Sequence, residues 1–258
     1  MRHEKVPTAA LSTVDAVFED DEILVLDKPA GLLVLPDRYN PGIPHVLGLL
    51  KSKFAKIYVV HRIDKDTSGV IVFAKTEESH RLLSHQFQTR STEKVYLAIC
   101  AGESGKKEGR IDVAISENPN KKAGMRIDRV NGKSAVTLYK VLEEFEGYSF
   151  VEARPKTGRT HQIRIHLSAI SIPILGDSLY GGGSSFSLSQ IKPSYRGKGS
   201  ERPLLRRAAL HASRISIVHP TTRRPVTFET DLPKDMKIVL NYLRKYKSGK
   251  KLEIESGL

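Results

Sequence analysis

The stretch Ile57-Tyr58-Val59-Val60-His61-Arg62-Ile63-Asp64-Lys65-Asp66-Thr67-Ser68-Gly69-Val70-Ile71-Val72-Phe73-Ala74 decides how this chain is read. Two apolar runs, 57–60 and 69–74, have the β-branched composition of buried strands. Between them the polar loop His61–Ser68 carries an arginine, two carboxylates and two hydroxyls. Strands on both sides would hold such a loop rigidly. Asp64 is flanked by Arg62 and Lys65, whose charges favour its ionised form. Asp, Thr, Ser and Gly are also common β-turn residues, so composition alone favours a plain turn.

Working outward, Ile23–Leu26 predicts a buried strand, Lys28–Gly31 a turn and Leu32–Leu35 a second extended run. Residues 1–16 show no periodicity and are expected to form an N-terminal arm. Downstream, Glu77–Arg90 places Leu82, Leu83 and Phe87 on one helical face. Val95–Ile99 reads as a strand in which Tyr96 would ordinarily pack. Further strands are expected at 135–141, 148–153, 215–218 and 226–229, and a last helix at 234–247. Thr157–Thr160 is a turn, with Thr160 placed to cap a helix over 161–170. On that helix Ile163, Leu167 and Ile170 form an apolar stripe, and His161, Arg164 and Ser168 a polar one. That pattern predicts an amphipathic surface helix, although cations beside a glycine turn also suit an anion or carboxylate site. Strands with interspersed helices and no regular βα alternation predict an α+β fold, with 17–258 as one domain.

The 258 residues carry a formal charge of +13. Residues 191–258 hold 16 Lys/Arg against 6 Asp/Glu, so ten of those thirteen charges lie there. A Gly/Ser-rich basic loop at about 181–206 opens this region. One-sided positive charge suits a polyanion, and nucleic acid is the usual one. A solvated basic tail is the plainer alternative. The single cysteine, Cys100, excludes an internal disulfide and fits a reducing compartment. No apolar run approaches the ~18 residues of a membrane span, and the N-terminus lacks a signal-peptide core. A cytoplasmic protein without a membrane partner is expected, and nothing indicates an obligate protein partner.

His61–Gly69 resembles the catalytic motif of the RluA-type pseudouridine synthases, HRLDxxTSG, with Ile63 a mild departure. Lys94-Val95-Tyr96-Leu97-Ala98 resembles the tyrosine motif of that family. Thr157-Gly158-Arg159-Thr160-His161-Gln162-Ile163-Arg164-Ile165-His166 resembles its third motif. Weaker matches lie at Asp27–Gly31, 173–182, 207–212, 219–228 and 231–233, so the resemblance runs from about residue 17 to 233. It implies a pseudouridine synthase catalytic fold: a mixed, mainly antiparallel sheet with flanking helices and loops around a central cleft. It also implies isomerisation of uridine to pseudouridine in structured RNA, ribosomal RNA being favoured and transfer RNA the other candidate. The small N-terminal RNA-binding domain of many relatives has too few residues ahead of the match, so the basic loop and C-terminus are expected to hold RNA.

The resemblance assigns Asp64 as the essential carboxylate. It leaves open covalent addition to the sugar, covalent addition to the base, or abstraction of a sugar proton. Arg164 would pair with Asp64, lowering its pKa and fixing its geometry. Tyr96 would stack on the base and is the candidate to take the C5 proton, although a free tyrosine titrates near ~10. Unstacking the target costs a few kcal/mol, and Arg62 is the candidate to fill the vacated space. Arg62 equally suits a charge partner of Asp64 or Asp66. Lys28, Thr67, Arg159 and His161 complete the expected substrate contacts, Lys28 having a structural role as an equal alternative. The reaction is redox neutral, and no nucleotide fingerprint or metal-ligand cluster is visible, so no cofactor and no metal are expected. Two other classes fit parts of the sequence: a metal-dependent nuclease using Asp64, Asp66 and His61, and a non-catalytic RNA-binding protein.

Overall fold

The computed structural model describes residues 14–120, 124–192, 194–195 and 201–248. Ten strands form one sheet. Its main path runs β1 (Asp15–Glu19), β2 (Ile23–Lys28), β4 (Ser68–Ala74), β11 (Leu210–Val218), β5 (Glu93–Ala101), β10 (Tyr148–Pro155), β9 (Val136–Phe145) and β6 (Glu108–Asp112). β3 (Tyr58–Val59) adds to β4, and β12 (Pro225–Glu229) to β11. Every pairing is antiparallel except β4 with β11. A separate hairpin joins β7 (Ile115–Glu117) to β8 (Met125–Ile127). The helices are α1 (Val46–Lys51), α2 (Glu77–Gln88), α3 (Gln162–Ala169) and α4 (Lys234–Tyr246). This is the mixed, mainly antiparallel α+β architecture expected from the sequence.

β4 is buried along its whole length because β2 covers one edge while β3 and the start of β11 share the other. A strand with both edges and both faces covered reads as a continuous apolar run, as residues 70–74 do. One core packs β2 and β4 against α1 and α2. The other packs β5 and β10 against α3 and α4, whose Met236, Val239, Leu240 and Leu243 follow the helical period. Tyr96 packs against both cores. The sheet passes from one core to the other there, and a cleft opens at that seam.

Four expectations change. Leu32–Leu35 is not a strand. Gly31 turns the chain at φ +86°, Leu33 makes a single bridge to His45, and Leu32 and Val34 are buried as wedges. Regular structure starts at Asp15, so what remains of the expected arm, residues 1–13, lies outside the described residues. Helix α3 is buried on nearly every side rather than amphipathic at the surface, with Gln162 through Leu167 all enclosed. Its polar stripe faces the loop at 173–182 instead of water. Finally, the basic loop is tied down where it is described. Phe186, Ile191 and Leu205 are buried, and Ser189 Oγ donates to Glu201 at 2.5 Å. Helix α1 and strands β6 to β8 were not foreseen, being short and without a clear apolar period. Among the described residues no helix is long and apolar enough to cross a membrane.

Candidate active site

The loop before β4 is mostly scaffold. The Thr67 amide donates to the Asp64 carbonyl at 3.2 Å and closes the turn. Ser68 Oγ lies 3.0 Å from His211 Nδ1 on β11. Gly69 has φ +114°, and a Cβ there would collide with the Ala212 carbonyl across the parallel pair, so only glycine fits. His61 is consumed in the same way. Its Nε2 accepts the Val72 amide at 3.0 Å, its ring stacks on Phe87, and burial and then the Lys94 charge push its pKa down to about 3. Of the loop's charged groups, Asp64 and the exposed Arg62 line the cleft.

Lys28 braces this loop from behind. Its Nζ donates to the carbonyls of Pro29 (2.8 Å), Leu32 (2.8 Å) and Lys65 (3.0 Å), and the Gly31 amide also reaches the Lys65 carbonyl at 2.8 Å. The cage uses all three ammonium hydrogens, although burial pushes the group down to about 7 against the pull of Asp66 and Asp64. Lys28 is fully buried and does not line the cleft, and its three carbonyl partners fit the structural alternative for it. Arg207 adds a second brace. It donates from Nη1 to the Asp66 carbonyl at 3.2 Å while its Nε and Nη2 hold Asp235 at 2.7 and 2.8 Å.

The third motif divides by direction. Gln162 is buried and satisfied: its Nε2 donates to the Val136 carbonyl and Thr137 Oγ1, and its Oε1 accepts from Thr157 Oγ1 and the Arg159 amide. His166 Nε2 faces the Val113 carbonyl at 3.1 Å and must donate, so its Nδ1 accepts from Thr137 Oγ1. These residues build the turn. His161, Arg164 and Arg159 face the cleft. Thr160 does not cap α3; His161 occupies that position in left-handed conformation, φ 53°, with no side-chain cap.

Arg164 joins two carboxylates. Its Nε and Nη2 hold Asp177 in a bidentate pair at 2.7 and 2.8 Å, and its Nη1 reaches Asp64 Oδ2 at 3.4 Å. The Arg164 side chain is 10% exposed, that of Asp177 0% and that of Asp64 20%. Burial works against the guanidinium charge, but the Asp177 bond and charge, then Asp64, outweigh it and raise its pKa further. The Tyr180 ring lies 5.1 Å under the guanidinium. The expected Arg164–Asp64 pair is therefore present, and Asp177 anchors it. Sequence reading quoted Asp177 inside 173–182 without giving it a role. Its only signal was a carboxylate in an apolar, glycine-rich turn.

Tyr96 on β5 lines the same cleft, half-buried, its hydroxyl without a hydrogen-bond partner among the described residues. Burial and then the Asp64 charge push its pKa above the ordinary value. Its phenolate is thus scarcer at neutral pH than that of a free tyrosine, which weakens the case for Tyr96 as an unassisted base. The cleft, about 400 Å³, also takes in Thr67, buried on its floor, and Arg159, whose Nε is tied to the Ser134 carbonyl at 3.1 Å. Sequence reading missed Arg90 and gave Lys94 no function. Both line one wall, and neither has a carboxylate within ion-pair distance among the described residues; the same holds for Arg62 and Arg159. Arg62 is therefore not paired with Asp64 or Asp66. The expected nuclease trio does not assemble, since the His61 Nε2 is already spent. No group of three or more His, Cys, Asp or Glu among the described residues could hold a metal ion.

Comparison with known proteins shows what this chain is similar to. The profile described as RNA pseudouridylate synthase matches residues 22–169, and the chain belongs to that family. Its relatives include the ribosomal large subunit pseudouridine synthase D of Xanthomonas campestris, 37% identical over 238 residues, covering 90% of this chain and 70% of the relative. The enzyme of the same name from Neisseria meningitidis is 36% identical over 236 residues and covers 90% of this chain. The chain spans 61% of the length of that relative. Among solved structures, Human RNA Pseudouridylate Synthase Domain Containing 4 superposes with a TM-score of 0.71 at 26% identity, covering 92% of this chain and 95% of that one.

Proposed function

We propose that this protein isomerises uridine to pseudouridine in ribosomal RNA, in the cytoplasm, with Asp64 as the reacting carboxylate. The observation that supports this best is the placement of Asp64: one oxygen toward the Arg164 guanidinium, in a cleft also lined by Tyr96 and by arginines with no carboxylate within ion-pair distance among the described residues. The choice of ribosomal RNA rests on the names of the relatives. The reaction breaks the C1′–N1 bond, forms C1′–C5, removes a proton from C5 and returns one to N1. Nothing is oxidised or reduced, and the chemistry draws on no cofactor.

In this reading residues 17–258 act as one catalytic domain. Asp64 attacks or deprotonates the flipped nucleotide while Arg164 holds it in place. The Tyr96 ring is the surface on which the base rests. Arg62 and Arg159 approach the phosphates or the vacated stack. The experiment is pseudouridine mapping of ribosomal and transfer RNA from cells with and without the gene, followed by the purified protein acting on unmodified transcripts. Loss of a ribosomal site that the purified protein restores is the expected result. Loss confined to transfer RNA would overturn the substrate, and no lost site anywhere would overturn the activity.

A further inference from the structure

Tyr180 takes no part in the chemistry above, yet its hydroxyl ends a chain of contacts that reaches Asp64. Its Oη lies 2.9 Å from the Met125 amide nitrogen on β8 and 2.8 Å from His161 Nδ1. An amide N–H can only donate, so it occupies a lone pair of Oη. The single phenolic hydrogen is then directed at Nδ1, which accepts it. A ring nitrogen that accepts carries no hydrogen, so the neutral imidazole must keep its own on Nε2. Nε2 is the atom that faces Asp64, 3.9 Å from Oδ2.

The rest of the pocket fixes this arrangement. Ser168 Oγ donates to the Tyr180 carbonyl at 2.8 Å, and the His161 ring meets Tyr180 edge-on at 5.7 Å. His161 sits in the left-handed region, a conformation that costs a non-glycine residue about 1–2 kcal/mol and persists only where surroundings impose it. Protonating Nδ1 would press two hydrogens onto the phenol oxygen and strand its own. The charged groups facing the ring are Asp64 and Arg62 from the loop, Arg164 on α3 and Asp177. Burial first, with the two arginines, outweighs the two carboxylates and lowers the pKa of His161. Both the Arg164 Nη1 and the His161 Nε2 approach the same oxygen of Asp64, and the other oxygen has no partner among the described residues.

We propose that Tyr180 is a positioning residue: its hydroxyl fixes His161 as a neutral imidazole that turns Nε2–H toward Asp64, 3.9 Å from the oxygen that Arg164 holds, and leaves the other oxygen for the nucleotide. The role rests on Asp64 being the reacting carboxylate. The Met125 amide imposes the direction of the phenolic hydrogen, so the β7–β8 hairpin belongs to the device.

The test reads the imidazole directly. Long-range proton–nitrogen NMR on the full chain should show His161 of the wild type as the Nε2–H tautomer at neutral pH. In Tyr180→Phe the ring stays under Arg164 but the donor is gone. His161 should then populate Nδ1–H and protonate at higher pH than in the wild type. Turnover should fall by up to about tenfold, the scale of one lost neutral hydrogen bond, with KM for RNA unchanged. A merely structural tyrosine would leave tautomer and kcat alone in the folded variant. An Nδ1–H wild-type tautomer, or full kcat in folded Tyr180→Phe, overturns the proposal. The wild-type spectrum decides the tautomer even if the variant does not fold. A wild type that makes no pseudouridine would refute the enzymatic reading separately.

Discussion

Replacing Asp177 by asparagine separates the two duties of Arg164, its burial and its hold on Asp64. The side chain keeps its shape but loses the charge that compensates a guanidinium only 10% exposed. Removing one partner of a buried ion pair costs about 3–5 kcal/mol, because the other charge is left without compensation. Here the low end applies. The amide oxygen still accepts one of the two hydrogen bonds, and Asp64 remains 3.4 Å from Nη1. For a chain of this size about 3 kcal/mol corresponds to a fall in Tm of roughly 6–12 °C. The matched control is Asp64→Asn, whose side chain is partly solvated and makes only the long contact. Pairs of that kind are worth about 0–1 kcal/mol, so Tm should move by roughly 4 °C or less. Thermal unfolding of the two variants, followed by circular dichroism at one pH and salt, gives the comparison. Equal Tm values for wild type and Asp177→Asn would refute the idea that the Asp177 pair anchors Arg164.

Asp64→Asn should abolish pseudouridine formation while RNA affinity stays near the wild-type value, since an amide is a poor nucleophile and base; turnover within about tenfold of wild type would remove the central claim. Tyr96→Phe should keep RNA affinity and lose turnover if the hydroxyl handles a proton, and full activity would reduce Tyr96 to a stacking platform. His211 and His61 are held neutral by burial, pushed down to about 4 and about 3 from an ordinary 6.5. Unfolding lets them protonate, so stability is fully present above pH 6.5 and should fall as pH drops toward 4, more shallowly in a folded His211→Asn variant. Neutralising Arg90 and Lys94 should weaken RNA binding and flatten the slope of log affinity against log salt by up to ~0.7 per lost phosphate contact; an unchanged slope would show that this wall of the cleft does not touch the backbone.

The parts of the site legible in sequence were those whose signal is local. Asp64 and Tyr96 sit in short motifs flanked by apolar strands, and the structure brings both to the cleft with Arg164 between Asp64 and Asp177. Periodicity located α3 but misjudged its surroundings. His161, Arg164 and Ser168 do form a stripe. A helical stripe states only that three side chains share a face, and here the face meets Tyr180 and Asp177 instead of solvent. That outcome depends on the turn at 173–182 folding back, which is set by tertiary pairing such as the Leu175 amide to the Ile99 carbonyl at 2.9 Å. Lys28 shows the same limit from the other side. A lysine beside a turn looks like a phosphate ligand, and only the three carbonyls around its Nζ reveal it as a brace.

Charge was the least transferable signal, for a physical reason. The sequence places most of the net positive charge after residue 190, but affinity for a polyanion depends on which cations are free to reach it. In the described part of that region Arg207 is bound to Asp235, Arg244 to Glu143, Lys237 to Asp231, and Lys192 lies over the Tyr246 ring. Arg196 and Lys198, the centre of the expected RNA-binding loop, lie outside the described residues. Arg202, Arg206, Arg223 and Arg224 have no carboxylate within ion-pair distance among the described residues, and the cleft adds a second such group. Arg62, Arg90, Lys94 and Arg159 have no carboxylate within ion-pair distance among the described residues, and burial followed by the Arg90 charge already pushes Lys94 below its ordinary pKa. Like charges left side by side at a partly dry wall are stabilised by an anion placed between them. A phosphodiester threaded past Asp64 supplies one, so electrostatic attraction and the reacting carboxylate converge on the same 400 Å³ of the molecule.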